Sequence, residues 1–214
     1  MALTSTETLE TPRPSAEVQR HLHLFIKGET IPEREAGIWQ ICQGLVRLST
    51  FYPRGEEGLL GWVGPSMCFS ASFSYLQSNR ATAISDVCLM WYSNGEIEAS
   101  PELAQELLPK LGRRFRQTEA LLAIAGLRRV EDRLQQLLLL LKQEFGQPTE
   151  EGTRLSIRLT HQDIAGAINT TRVTVTKLLG KLQQQGLIKR DKHRHFIIAK
   201  DAFASSSNLC GYVR

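Results

Sequence analysis

Hydrophobic and polar positions change rhythm three times along this 214-residue chain. Residues 1–18 are rich in Thr, Glu, Pro and Ser and poor in large apolar groups, which predicts a mobile N-terminal segment. Over 19–99 short apolar runs take over: "GIWQICQGLVRLSTFY", "GLLGWVGPSMCF" and "ATAISDVCLMWY". Gly, Pro and Asn interrupt them about every eight to twelve residues, and Leu45, Arg47 and Ser49 alternate with Val46, Leu48 and Thr50. That rhythm predicts a compact antiparallel β domain, with "GEEG" at Gly55–Gly58 as a hairpin turn.

From Ser100 the period lengthens to that of a helix, with Pro101 suited to a first helical position. Leu107, Leu111, Thr118, Leu122 and Ala125 fall on one stripe with Phe115 beside them. The stripe predicts a dimerisation helix over 100–126, its seam made by Leu107, Leu111, Phe115, Thr118 and Leu122. Packing of the same stripe on the chain's own β domain is the alternative for part of its length. Gly126 marks a break, "RVEDRLQQLLLLLKQEFG" reads as a second amphipathic helix ending at Gly146, and "QPTEEGT" as a linker.

The remainder packs more signals into fewer residues. "RLSIRL" alternates as a strand with Leu155, Ile157 and Leu159 on one side. Thr160 followed by Asp163 resembles a capping box for a short helix, and "NTT" is a turn. Thr171 is placed to cap the next helix, from Arg172 to about Gln185, which Gly186 ends. "LIKRDKHRHFIIAK" reads as two strands around a basic turn at Asp191–His193. Two short helices followed by a hairpin predict a winged helix-turn-helix within 127–214. The fold expected is therefore α+β: an N-terminal antiparallel β-roll, a long dimerisation helix and a C-terminal winged helix-turn-helix.

Charge sharpens this picture. The net charge of +4 is unevenly spread: residues 1–100 hold 7 Lys and Arg against 11 Asp and Glu, whereas residues 151–214 hold 11 against 4. A basic excess in one folding unit points to a polyanionic partner. No apolar stretch reaches the roughly 18 residues of a membrane span, and the N-terminus lacks the basic start and apolar block of a signal peptide. A cytoplasmic protein with no membrane partner is expected. The cysteines, Cys42, Cys68, Cys88 and Cys210, form no zinc-finger spacing, and the first three sit among apolar neighbours as reduced, structural thiols. No nucleophile-and-base order or carboxylate pair stands out, so an enzyme is not expected.

The residue types at the start of the helix from Arg172 suit double-stranded DNA. Val175, Leu178, Leu179 and Leu182 are placed to pack inward against Ile164 and Ile168, leaving Arg172, Val173, Thr174, Thr176 and Lys177 towards the outer surface and leading end. Arg can donate twice to guanine O6 and N7, and Val can cover a thymine methyl. Thr160, His161, Thr171 and Lys192 complete the candidate DNA contacts, since hydroxyls, imidazoles and cations near helix starts and wing tips hold phosphates. Taken alone, each of these is a plain cap or a solvated cation; the hairpin cations Lys189, Arg190, Lys192 and Arg194 read equally as an ordinary charged turn.

"LTHQDIAGAINTTRVTVTKLLGKLQQQGLIKR" resembles the DNA-binding domain of the CRP/FNR superfamily of bacterial transcription regulators. Within it "TRVTVT" followed by a basic residue is most similar to the cyanobacterial nitrogen-regulator branch. The likeness extends more loosely over residues 24–200. It implies a homodimer presenting two recognition helices to a palindromic, GTA…TAC-like site, with RNA polymerase or a co-regulator protein as a further partner. In the cyclic-nucleotide branch a Gly-Glu pair and a nearby Arg hold the ligand. Here "MCFSASFSYLQSNRATAIS" has no Gly-Glu, and its one cation, Arg80, is displaced, so cAMP and cGMP are disfavoured. Phe69, Arg114 and Glu119 match effector positions of the nitrogen-regulator branch, while its pocket Arg aligns nearest Gln77; with Arg80 these three make up the candidate effector contacts. A carboxylate effector such as 2-oxoglutarate, or no small effector and no cofactor, follows from that. No metal ligand set is assigned. Two rival classes stay open: a metal or redox sensor using Cys42, Cys68 and Cys88, and a protein-binding adaptor with a degenerate sensor.

Overall fold

The structure, a computed structural model, describes residues 22–203 apart from Glu35 and Gln77. The segment 1–18, expected to be mobile, and Cys210 lie outside the described residues, as does Gln77. Eight strands build the first domain: β1 (Leu22–Phe25), β2 (Thr30–Ile31), β3 (Gly37–Gln43), β4 (Val46–Phe51), β5 (Glu57–Val63), β6 (Cys68–Phe69), β7 (Asn79–Ala83) and β8 (Val87–Ser93). They pair antiparallel into two four-stranded sheets, ordered β1-β8-β3-β6 and β2-β7-β4-β5. Trp39, Ile41, Val46, Val63, Met67 and Leu89 fill the space between the sheets. Alternation along β4 does not separate a dry face from a wet one. Ser49 and Thr50 are as buried as Val46, because both faces of this strand are covered. The β4–β5 register shifts between Leu48 and Ser49, where Leu60 is the extra residue of a bulge and Gly61 takes φ +146.

Three helices follow: α1 (Asn94–Ala99), α2 (Pro101–Ala125) and α3 (Val130–Phe145). Ser100 caps α2 by accepting from the Leu103 N–H at 3.2 Å, Pro101 occupies the first turn, and Gly126 ends the helix. The stripe along α2 splits between two fates. Leu103 and Leu107 pack with Ile38, Cys68 and Tyr92 of the β-roll, so Leu107 belongs to the protomer's own core and leaves the expected seam. Leu111 is half-buried beside them. Beyond it the β-roll falls away, and Phe115 and Leu122 are 64% and 75% exposed.

The last unit holds β9 (Gly146–Thr149), β10 (Gly152–Leu155), α4 (His161–Ala167), α5 (Arg172–Gln184), β11 (Ile188–Arg190) and β12 (Phe196–Ile198), with sheet order β11-β12-β10-β9. Two expectations fail here. "QPTEEGT" is not a linker: it forms the β9–β10 hairpin, with Pro148 on the edge strand where a missing N–H is tolerated. "RLSIRL" is a strand only as far as Leu155, because the Ser156 N–H and hydroxyl both donate to Phe145 O (2.8 and 3.0 Å) and draw the chain off the sheet. Ile157 and Leu159 remain buried without a strand around them.

The β-roll and the winged unit share one core. Leu45 and Trp62 join Leu137, Leu141, Ile164 and Val175 in a single apolar cluster. On its rim Arg47 of β4 pairs with Glu57 (3.1 Å) and reaches across to Asp163 of α4 (3.2 Å).

Candidate nucleic-acid interface and sensor cavity

Local chemistry fixes where α5 starts and which way it faces. Thr160 caps α4 through the expected box: its hydroxyl accepts from the Asp163 N–H (3.1 Å) and Asp163 Oδ2 accepts from the Thr160 N–H (2.8 Å). Asn169, at φ +48, turns the chain, and the Thr170 N–H closes the turn on Ala165 O at 3.0 Å. Thr171 then caps α5, accepting from the Thr174 N–H at 3.1 Å. Val175, Leu179 and Leu182 are buried against α4, with Leu178 half-buried. That commits one face of α5 to the core and leaves Arg172, Val173, Thr176 and Lys177 exposed on the other. Val173, a β-branched apolar residue, is 65% exposed at the helix tip. Thr174 is half-buried, its hydroxyl 2.9 Å from that of Thr171.

His161 ties this tip to the wing. Its Nε2 lies 2.7 Å from Arg190 Nη2 and its Nδ1 lies 2.7 Å from Thr176 Oγ1. A guanidinium can only donate, so Nε2 accepts, Nδ1 carries the proton and donates to Thr176, and Thr176 donates to Arg172 O at 2.9 Å. Burial, then the Arg190 and Arg172 charges, lower the His161 pKa and favour this neutral tautomer. The wing turn is held from behind. Asp191 accepts from Arg154 (2.7 Å) and from the His193 and His195 N–H groups (2.8 Å each). These bonds, Arg154 foremost, hold its carboxyl far below the usual carboxylate range. Lys192 and Arg194 are exposed at the turn, whereas Lys189 is turned aside into an ion pair with Glu151 at 2.5 Å. Arg158, Arg172, Arg190 and Arg194 line one side of a cleft of about 1130 Å³, opposite Lys27, Pro65 and Asp86 of the β-roll.

A second cavity, of about 580 Å³, lies between the β-roll and α2. Of the four effector candidates it gathers Phe69, Arg80 and Arg114. Glu119 is exposed outside it, because a step of five residues carries it about 140° round the helix from Arg114. Arg114 Nη2 donates to Leu60 O at 2.9 Å, the carbonyl that the β5 bulge frees, and Nη1 donates to Thr118 Oγ1 at 2.5 Å. One turn on, Gln117 Oε1 accepts from the Trp62 N–H at 3.1 Å. A Cβ on Gly61 would sit 2.6 Å from that oxygen, so glycine here lets α2 lie against β5. Arg80 is exposed on the rim with its guanidinium 4.3 Å from the Phe51 ring centroid.

The cysteines divide. Cys68 is buried, and burial pushes its thiol up to about 12. Cys42, contrary to the sequence reading, is exposed: it occupies the irregularity where β3 shifts register, next to the Gln43–Cys88 pairing. Its pKa is raised, by partial desolvation first and by Cys88 second, which lowers thiolate content and weighs against a peroxide-reactive sensor. Among the described residues no group of three His, Cys, Asp or Glu side chains is arranged to hold a metal ion.

The Crp-like helix-turn-helix domain family matches residues 132–203, the span holding α4, α5 and the wing. Over 186 residues the chain is 35% identical to the regulatory protein CysR of Synechococcus elongatus, covering 86% of each protein. The chain belongs to the CRP/FNR family. It is also 32% identical over 193 residues to the global nitrogen regulator of the same organism, covering 84% of this chain and 86% of that protein. Among solved CRP/FNR-type folds, FixK2 from Bradyrhizobium japonicum superposes with a TM-score of 0.73 at 18% identity, covering 91% of this chain and 99% of that one. The relatives are transcription regulators, and this CRP/FNR member is accordingly a DNA-binding transcription regulator and not an enzyme. Among the described residues no helix is long and apolar enough to cross a membrane.

For this family member the sequence located α5 and its cap but missed the surrounding cations. Arg158 drew no notice, and Arg190 and Arg194 read only as hairpin charge. Nothing in a linear pattern tells on which side of a hairpin a cation emerges.

Proposed function

We propose that the chain acts as a homodimer that reads a palindromic GTA…TAC-like site and responds to a carboxylate effector held beside α2. The observation that carries this reading is the pairing of exposed Arg172 and Val173 at the tip of a helix whose opposite face is fully committed to the core. Arg172 is presented to guanine O6 and N7, and Val173 to a thymine methyl. Thr160, Thr171, Lys177 and Lys192 supply phosphate contacts, with first-turn amides of α5 behind them. His161, Thr174 and Thr176 act through their neighbours: their hydrogen bonds fix Arg172 and the wing in register.

Pairing through the outward face of α2, Phe115, Thr118 and Leu122 with Leu111 at its edge, would double the recognition helix about a twofold axis. Phe115 and Thr118 also line the cavity, so subunit pairing and effector binding draw on the same residues. Cyclic nucleotides remain disfavoured, for Arg80 is engaged with Phe51 on the rim. RNA polymerase or a co-regulator protein completes the partner set, and the cytoplasm is where such a regulator meets DNA.

Fluorescence anisotropy tests the reading on a duplex whose half-site centres stand about one helical turn apart, roughly 34–36 Å. Replacing one guanine should weaken wild-type binding by about 1–3 kcal/mol, and Arg172→Ala should become indifferent to that replacement. An Arg172→Ala protein with the wild-type base preference refutes the assignment.

A further inference from the structure

We propose that the cavity beside α2 takes a single carboxylate carried on a long or broad apolar body, such as a medium-chain fatty acid, rather than a small dicarboxylate or a nucleotide. This rests on the carboxylate reading above and adds the nature of the rest of the ligand. Ile31, Leu48, Leu60, Phe69, Phe73 and Leu111 give the cavity mainly apolar walls. Its roughly 580 Å³ leaves room for a body of about ten carbon atoms, in the range of pockets that enclose such ligands.

One end of the cavity is built for a negative charge. Arg114 bonds only to neutral acceptors, Leu60 O and Thr118 Oγ1, and among the described residues no carboxylate lies within ion-pair distance of it. Burial lowers its pKa to about 10, which leaves it cationic at neutral pH. A desolvated cation facing only neutral partners is stabilised by an anion that brings its own charge into the cavity. Two more polar groups line the same cavity. Ser49 is completely buried on the cavity wall, yet its hydroxyl has no hydrogen-bond partner among the described residues; Asn79 Oδ1, also on the wall, has none either. The Ser49 hydroxyl can donate to a carboxylate oxygen, and the Asn79 amide offers a second polar contact in either orientation. A second anion is disfavoured: the other cation, Arg80, paired across the strands from Ser49, is exposed and spread over Phe51, and Glu33 contributes a negative charge to the lining.

The test is titration calorimetry of the full chain with decanoate, decan-1-ol, 2-oxoglutarate and cAMP. Decanoate should saturate one site per chain, decan-1-ol should bind about tenfold or more weakly, and the other two should give no binding. Arg114→Gln should bring decanoate down to the level of decan-1-ol without changing decan-1-ol itself. Ser49→Ala should weaken decanoate alone, and it keeps the question open to decision if Arg114→Gln fails to fold. Saturable 2-oxoglutarate binding without decanoate binding overturns the apolar body but leaves the carboxylate reading. Saturable cAMP binding overturns both, as does absence of binding by every probe or equal decanoate binding by Arg114→Gln. Anisotropy on the palindromic duplex, with and without decanoate, separates the two levels: decanoate that binds but leaves DNA affinity unchanged defeats the regulatory role and spares the pocket chemistry.

Discussion

The two ends of this regulator treat their polar groups differently. Around the recognition helix the capping and wing-supporting groups have partners: Thr160 with Asp163, Thr171 with Thr174, His161 between Arg190 and Thr176, and Asp191 with Arg154. In the β-roll, Ser49, Asn79 and the indole N–H groups of Trp39 and Trp62 lack one. Arg47 Nε and Arg133 Nε, the latter in α3, are unpartnered too, and among the described residues no such orphan falls between 146 and 203. Buried polar atoms cost stability when unpaired, so a domain that retains several is held short of its own optimum. The contrast teaches which end is finished before its partner arrives. The DNA end is preorganised, its side chains fixed by internal bonds before any base is met. The β-roll end keeps the Ser49 hydroxyl and Asn79 Oδ1 unpartnered and the Arg114 guanidinium without an opposite charge, which is what the proposed ligand would complete.

Substitutions can break or sharpen that contrast. The largest effect belongs to Trp62→Ala, which empties the cluster shared by both ends and should cost about 3–5 kcal/mol, read as one cooperative unfolding transition. Two separate transitions in the wild-type protein would instead mean that the ends fold apart. Next comes Thr171→Ala, which removes a made capping bond and should cost about 0.5–2 kcal/mol in denaturant unfolding. An unchanged midpoint would show that the cap is not needed.

Acid should act on the same end. His161 and His195 both have lowered pKa values in the folded chain, burial being the leading cause, so the unfolded chain binds more protons than the native one below about pH 6.5. Stability should therefore fall as pH drops through that range. The depressed Asp191 carboxyl adds stability that is lost only at much lower pH. A midpoint that rises on mild acidification would reverse the sign and contradict the lowered pKa of both rings. The smallest effect is expected at Ser49→Ala, close to neutral in the ligand-free protein because no bond is broken. A loss as large as that of Thr171→Ala would mean that the hydroxyl is already partnered.

How much of this was legible in the sequence follows the range of the signals. The start of α4 and both ends of α5 were readable because Thr160, Asp163, Thr171 and Gly186 act on residues only a few positions away. Gly186, at φ +72, stands just past the helix as a terminator should. Elements defined by distant partners were not readable. β9 carries no strand pattern; it exists because Gly152, at φ +145, lets β10 approach the Ile198 backbone and leaves an edge for Gly146–Thr149 to pair with. Periodicity found the α2 stripe but not what covers it, so Leu107 and Phe115 looked alike and came apart. The cavity draws Ile31, Ser49, Asn79 and Arg114 from four separate segments, and no spacing rule links them.

The most direct test of the central claim is selection of bound sites from random duplex DNA by the wild-type protein and by Arg172→Ala in parallel. The wild type should enrich an inverted GTA…TAC-like repeat with half-sites about one helical turn apart, and the variant should lose the guanine while keeping the symmetry. Recovery of unsymmetrical sites, or of the same guanine by both proteins, would contradict a twofold pair of helices reading DNA through Arg172.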